Sequence, residues 1–418
     1  MKYFLIIAFL LFSLLVHAQQ QWIHYLPSNS GLPGFSVREI LIDSTNSKWF
    51  VTDNGLARYS NNDWTVWDTN NSPLTSNDLY SIIKDKNNII WIATRNKGIF
   101  RFDGTNWIRY YSTNLGYNLS AINKLRIDNN NMLWACSQTL GLLKFYSSLN
   151  KWIRYYPENS GLPDYSVTDV KFEGNIKWIG TVMGGIARFD DTSWTVYNTN
   201  NTPLISNFIE GVGIDNYNNK WFCTRFGGVA KFNTFQNQWT LYTSTNSGLP
   251  WDNTSTVFID DNNVKWIGIL GGGFVTYNDT IWNYLNASSS GASDFKKDKY
   301  KNMWISMSAS GVYVYNPSGV VKISDFLTII ENDYLNLNAY PNPFNNEILF
   351  DITLNDKSEI NLSIYDVNGK LVKKIKQGEL LKGNYQYKFN SYNLSSGIYF
   401  SVLETKSTKK ILKLILLK

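Results

Sequence analysis

The chain has 418 residues, of which 16% are aromatic and 17% charged, a composition that excludes a disordered chain and describes an aromatic-rich globular β protein. The net charge of +6 is uneven: residues 334–418 hold 12 Lys against 7 Asp plus Glu, and the remainder is nearly neutral, with 27 basic and 26 acidic residues. No basic face is left on the main body for nucleic acid.

Met1 and Lys2 precede an apolar run from Tyr3 to Val16, followed by Ala18 and the polar Gln19 to Gln21. The run is too short for the roughly 20 residues that span a bilayer, so residues 1–18 read as a secretory signal peptide cleaved between Ala18 and Gln19. No later stretch is long enough to span, so the mature chain is expected to be exported without a transmembrane segment.

From Trp22 to Asn316 one pattern recurs. Lys177 to Phe189, KWIGTVMGGIARF, has six variants, whose leading tryptophans complete the series Trp49, Trp91, Trp134, Trp178, Trp221, Trp266 and Trp304, spaced 38 to 45 residues apart. Each copy is an apolar run, a Gly-containing turn and a second run, the pattern of a β-hairpin. A second series, Trp22, Trp64, Trp107, Trp152, Trp194, Trp239 and Trp282, opens a further strand. An apolar run ending in an acidic turn, such as that closing on Asp43 or Asp128, precedes each hairpin.

Seven units of four antiparallel strands predict an all-β, seven-bladed β-propeller over residues 19–316. The chain opens on a fourth-type strand at Trp22 and its seventh unit lacks one. The Trp22 strand is therefore expected to complete the last blade and close the ring, removing an open edge.

The best copy joins Gly161-Leu162-Pro163, Trp178-Ile179-Gly180-Thr181 and Gly184-Gly185. On these motifs, repeated in phase over about 300 residues, the unit resembles the two-component regulator propeller repeat. In relatives of that family the propeller is often the periplasmic sensor half of a membrane kinase and senses ligands such as oligosaccharides. The present sequence shows no kinase or DNA-binding segment.

Residues 317–333 lack the repeat and read as a linker. Residues 334–418 change character, with Lys enrichment, no Trp, and alternating runs Ile348 to Leu354, Ile360 to Tyr365, Tyr385 to Phe389 and Ile398 to Leu403, which predict a small Ig-like β-sandwich. The ordered motifs Tyr340-Pro341-Asn342-Pro343, Ile364 to Gly369 with Asp366, Leu394 to Tyr399 with Gly397, and Lys409-Lys410-Ile411-Leu412 resemble the type A C-terminal sorting domain of the type IX secretion system. That resemblance implies a Bacteroidota cell, the secretion machinery as a partner, and transport to the surface or beyond.

Chemistry is sparse. The mature chain has one histidine, His24, and two cysteines, Cys136 and Cys223, at equivalent small-residue positions two units apart. Neither a disulfide nor a metal site is expected, and no cofactor is implied. The recurrent Asp43, Asp85, Asp128, Asp215, Asp260 and Asp298 precede Asn-rich turns and read as turn caps rather than calcium ligands.

Candidate ligand contacts are residues that break the repeat on the face carrying the hairpin turns and the inter-unit loops. These are Asp53, Arg95, Arg225 and Phe226 in the former, and Phe35, Tyr165 and Trp251 in the latter. Asp169 and Glu210, near the starts of inner strands, are candidate carboxylates at the channel mouth. Two readings follow: an exported non-catalytic module that binds a glycan, peptide or protein, or a polysaccharide lyase or hydrolase with Asp169 and Glu210 as acid and base.

Overall fold

The computed structural model describes residues 22–112, 116–316, 335–354, 356–367, 370–392, 394–405 and 409–418. The expected signal peptide with its Ala18-Gln19 junction, the linker and Gly369 lie outside these residues. The described chain is all-β, without an α-helix, and divides into two compact units.

Among the described residues, the first unit contains seven four-stranded antiparallel sheets, six of them contiguous in sequence. The first of these runs Val37–Ile42, Lys48–Thr52, Gly55–Ser60 and Asp63–Trp67. The seventh takes Ala292–Lys297, Met303–Met307 and Val312–Tyr315, and its fourth strand is Trp22–Tyr25, which pairs Trp22 with Tyr315 and Tyr25 with Val312. The first strands pack side by side in cyclic order, with Ala292–Lys297 lying against Val37–Ile42.

One interaction repeats in every sheet. The carboxylate that ends the first strand accepts a hydrogen bond from the indole Nε1 of the tryptophan in the second: Trp49 to Asp43 (3.0 Å), Trp91 to Asp85 (3.2 Å), Trp134 to Asp128 (2.8 Å), Trp178 to Glu173 (2.9 Å), Trp221 to Asp215 (2.8 Å), Trp266 to Asp260 (3.1 Å) and Trp304 to Asp298 (2.8 Å). The other oxygen of the six aspartates caps the intervening turn, as when Asp43 Oδ1 accepts from the Thr45 and Ser47 amides. Turn capping was expected from the sequence; the indole partner is the added finding. A buried indole keeps its donor satisfied only this way.

Four sheets add a lysine at the start of the second strand, lying over the tryptophan of the preceding sheet: Lys48 over Trp304, Lys177 over Trp134, Lys220 over Trp178 and Lys265 over Trp221, at 5.0–5.7 Å from the ring centres. Lys48 also lies 3.6 Å from Asp298, so the first sheet is tied to the seventh as others are to their neighbours.

Charge also crosses between the first strands. Arg126 Nη1 donates to Glu39 Oε1 (2.7 Å), and its Nε lies 2.9 Å from Asp169 Oδ1, so one guanidinium joins the first, third and fourth sheets. Glu39 Oε2 also accepts from Ser81 Oγ and the Ile82 amide. Burial pushes the Glu39 carboxyl up, but Lys124, Arg126 and Lys296 outweigh it and hold it well below the usual carboxylate range.

Both cysteines are free and buried. His24 is half-buried rather than on the surface, stacked on Tyr313 at 3.9 Å with Nε2 2.8 Å from Ser310 O.

The second unit holds a three-stranded sheet, in the order Leu335–Tyr340, Glu347–Leu354 and Gly383–Asn390, and a four-stranded one, in the order Leu371–Leu380, Ser358–Asp366, Gly397–Glu404 and Lys409–Leu416. Phe350 and Ile352 of the first sheet share one core with Leu362, Ile364, Leu403 and Leu414 of the second. The strands Leu335–Tyr340 and Leu371–Leu380 were not anticipated from the sequence.

Two stability tests follow. Asp215→Ala strands the Trp221 indole and uncaps a turn, and should lower unfolding free energy by roughly 2–4 kcal/mol in chemical denaturation. Asp261→Ala, on an exposed ion pair, should change it by less than about 1 kcal/mol. Although burial raises the Asp215 carboxyl, its hydrogen bonds from Asn219 and Trp221 lower it further, so its contribution is present above the ordinary aspartate range and lost as pH falls through the lowered value. Arg126→Met removes the shortest ion pair of Glu39, leaving it Lys124 at 3.5 Å, and takes the guanidinium from Asp169, and should cost about 3–5 kcal/mol at pH 7. That loss should shrink toward pH 4, where the buried Glu39, with less cationic compensation, takes up a proton in the variant while wild-type Glu39 stays ionised.

Candidate functional site

The first strands start with a bulge: pairing to the second strand shifts register just after the first residue in all seven sheets. The second residue is thereby released from the ladder. Those seven residues, Arg38, Tyr80, Asn123, Thr168, Glu210, Ser255 and Ser293, all line one cavity of about 440 Å³ where the first strands converge. Lys124, Asp169, Gln138, Phe208 and Arg225 complete much of the wall.

Five of the seven are occupied by the scaffold. Each donates to the carbonyl of the first residue in the next sheet: Arg38 to Leu79 (2.6 Å), Asn123 to Val167 (3.1 Å), Thr168 to Ile209 (2.6 Å), Ser255 to Ala292 (2.6 Å) and Ser293 to Val37 (2.6 Å). Tyr80 and Glu210 break this stitch. An ionised carboxylate has no proton to donate, and Glu210 instead meets Arg225 Nη2 at 2.5 Å. The Tyr80 ring carries the Arg38 guanidinium at 4.0 Å.

Burial pushes the Glu210 carboxyl up, and Arg225 and Lys124 offset only part of that shift. Arg225 packs over Phe208 at 4.4 Å, and its buried Nε has no hydrogen-bond partner among the described residues. A smaller cavity of about 180 Å³ shares Tyr80, Asn123 and Gln138 with the first and adds Arg95, Asn96, Ser120 and Ala121. The two share these walls of the second and third sheets.

The candidates from the sequence therefore divide. Arg225, Glu210 and Asp169 meet in the central cavity, and Arg95 lines its extension. Asp169 is buried and committed to Arg126 and to the Val170 amide. Phe35, Asp53, Tyr165, Phe226 and Trp251 line neither cavity and stand exposed on the loops. Asp53 Oδ1 caps the Ser36 amide, and the Tyr165 hydroxyl donates to Glu158 at 2.5 Å. The Phe226 amide donates to Asn253 Oδ1, and Trp251 lies edge-on to Tyr284. Arg38, Tyr80, Asn123 and Lys124 were missed. The signal for the first three was the polar second position of each first strand, visible once seven strands are aligned; Lys124 is the residue after it.

The described residues contain no group of three or more metal-ligating side chains, and no helix among them is long and apolar enough to cross a membrane.

In the second unit the sorting motifs meet in space. Asn342, between two cis prolyl bonds at Pro341 and Pro343, donates to Lys413 O (2.7 Å) and accepts from the Ile415 amide (2.9 Å). Phe344 bonds to Ile415 and Leu417 through its backbone. Asp366 accepts from the Lys370 amide, and the Tyr399 hydroxyl donates to Ser395 O. Lys409 and Lys410 begin a strand that pairs with Gly397–Glu404, at the sheet edge, while Tyr340 is exposed.

Comparison with known proteins agrees. Residues 338–417 match the model of the secretion system C-terminal sorting domain, and residues 73–96 that of the two component regulator propeller. No curated protein matches the chain. Among solved structures, the extracellular domain of BT3049 from B. thetaiotaomicron, described as a hybrid two component system, is similar at 16% identity and TM-score 0.63, over 95% of this chain and 57% of that one. PorZ, a surface component of the type-IX secretion system of Porphyromonas gingivalis, is similar at 14% identity and TM-score 0.54, over 93% and 60%. Virginiamycin B lyase from Staphylococcus aureus is similar at 13% identity and TM-score 0.57, over 70% and 97%. The chain thus spans under two thirds of the first two, and at these identities the likeness is one of fold. It is an exported, propeller-like protein that carries a two component regulator propeller repeat and a type IX secretion system C-terminal sorting domain.

Proposed function

We propose that the seven sheets are the blades of one seven-bladed propeller, closed by the Trp22–Tyr25 strand, and that the protein is a non-catalytic recognition module. Its domains are those read from the sequence, with the propeller over residues 19–316 and the sorting domain over 334–418. The module binds a glycan, peptide or protein partner outside the cell, at the cavity where the first strands converge. The observation that carries this reading is the broken stitch: five second-position side chains serve the scaffold, while Tyr80 and Glu210 do not and face the cavity beside Arg225. A rigid wall with an aromatic ring, a carboxyl and a guanidinium suits a polar ligand with hydroxyl or amide groups. Rings such as Trp251 and Tyr165 on the same loops would extend the contact for a larger partner.

The hydrolytic reading is weaker on the same evidence. Asp169 has both a guanidinium and an amide on one oxygen and is buried, so it is poorly suited to exchange protons with a substrate.

A glycan-array and peptide-library screen of the full protein tests the proposal, with Tyr80→Ala, Arg225→Ala and Trp251→Ala as variants. Binding should weaken by about 10–100-fold in the first two, the effect of losing a central contact, and less in the third. Loss confined to Trp251→Ala would move the site to the outer loops. Cleavage products on any hit would replace recognition with catalysis, and no hit in either library would leave protein partners as the target for affinity capture.

A further inference from the structure

Along the same first strands, the third and fifth residues supply three carboxylates, Glu39, Asp169 and Asp294, and four cations, Lys124, Arg126, Lys171 and Lys296; of these, Lys124 and Asp169 also line the cavity. Most are paired. Lys124 and Arg126 meet Glu39, Arg126 also meets Asp169, and Lys296 holds both oxygens of Asp294 at 2.9 and 2.7 Å. Asp294 is further engaged by the Ile40 amide at 3.0 Å. Lys171 is different: among the described residues it has no carboxylate within ion-pair distance and no hydrogen-bond acceptor.

We propose that Lys171, with Arg126 and Lys296 at the same fifth position of their strands, forms a site for a small inorganic anion among the converging first strands, two residues along from the cavity-lining Asp169. The local excess is one positive charge, which a monoanion such as chloride or dihydrogen phosphate neutralises. The groups that act electrostatically on Lys171 are Arg126 and Lys296, which repel its ammonium, and Asp169 and Asp294, which attract it but are held by other donors. Burial first, then the repulsion by Arg126 and Lys296, pushes the amine down to about 8. Lys171 is only partly buried, so an ion can reach it. An ammonium repelled by two neighbouring cations and paired with no carboxylate is costly to the fold, and a bound anion offsets that cost.

The test is thermal unfolding of the full protein at constant ionic strength, replacing gluconate, a bulky and diffusely charged anion, with chloride or phosphate. Wild type should show a saturable rise in Tm. Lys171→Met should show none and, in gluconate, should melt no lower than wild type, because the uncompensated charge is gone. Lys171→Arg should keep the response, which guards against a variant that simply fails to fold. Above pH 8 the free amine loses its proton, so the apparent anion affinity should fall by up to about tenfold per pH unit until the amine is neutral in both forms. An absent or unsaturable shift, or an equal shift in Lys171→Met, would overturn the proposal; a response to phosphate but not chloride would identify the oxyanion as the occupant.

Discussion

The first unit depends on giving each buried indole nitrogen an acceptor. Tryptophan supplies the large apolar surface that small sheets need, yet its N–H must be bonded when water is excluded. Here a carboxylate six residues earlier, or five at Glu173, supplies that acceptor, and the six aspartates also cap the turn between the two strands. Strand length, turn and tryptophan position are thereby coupled, so each repeat can vary elsewhere without losing its shape. The lysines over the preceding tryptophans carry the same solution from one sheet to the next, and Lys48 extends it between the first and seventh.

A second constraint acts where the first strands converge. Bulges release one side chain per sheet there, and freed backbone carbonyls need donors. Arginine, asparagine, threonine and serine all meet that need, which explains why the column is polar but varied. Tyr80 and Glu210 do not meet it. A scaffold column becomes informative about function where the chain leaves the scaffold's requirement unmet, and both exceptions face one cavity with Arg225.

Much of this was legible in the sequence, for definite reasons. The tryptophan period, the acidic turns and the early Trp22 strand are local patterns, and the sheets follow from them. Arg225 and Arg95 stood out because they break the repeat in the hairpin turns, and Glu210 and Asp169 because they lie near the starts of inner strands. What the sequence obscured depends on pairing between distant units. Arg126 joins Glu39, 87 residues earlier, to Asp169. The second-position stitch needs the register bulge, which no residue type announces. Trp251 drew notice as the tryptophan outside the repeat, but its ring stands on a loop against Tyr284, outside both cavities.

The second unit shows why separate motifs behave as one signal. Tyr340 to Pro343 and the strand Lys409–Leu416 lie about 70 residues apart, yet Asn342 bonds to both Lys413 and Ile415, and Phe344 is paired on either side of the same strand's end. The first motif thus fixes the position of the last strand, and Tyr399 lies in its neighbour, opposite Leu414. That strand is the sheet edge, with one side of its backbone open beyond the contacts at its end. A strand on an edge must be held in register without a second neighbouring strand. The Asn342 clamp does that, so a substitution in the proline-rich motif acts on the placement of Lys409 to Leu416 as directly as a change within that strand.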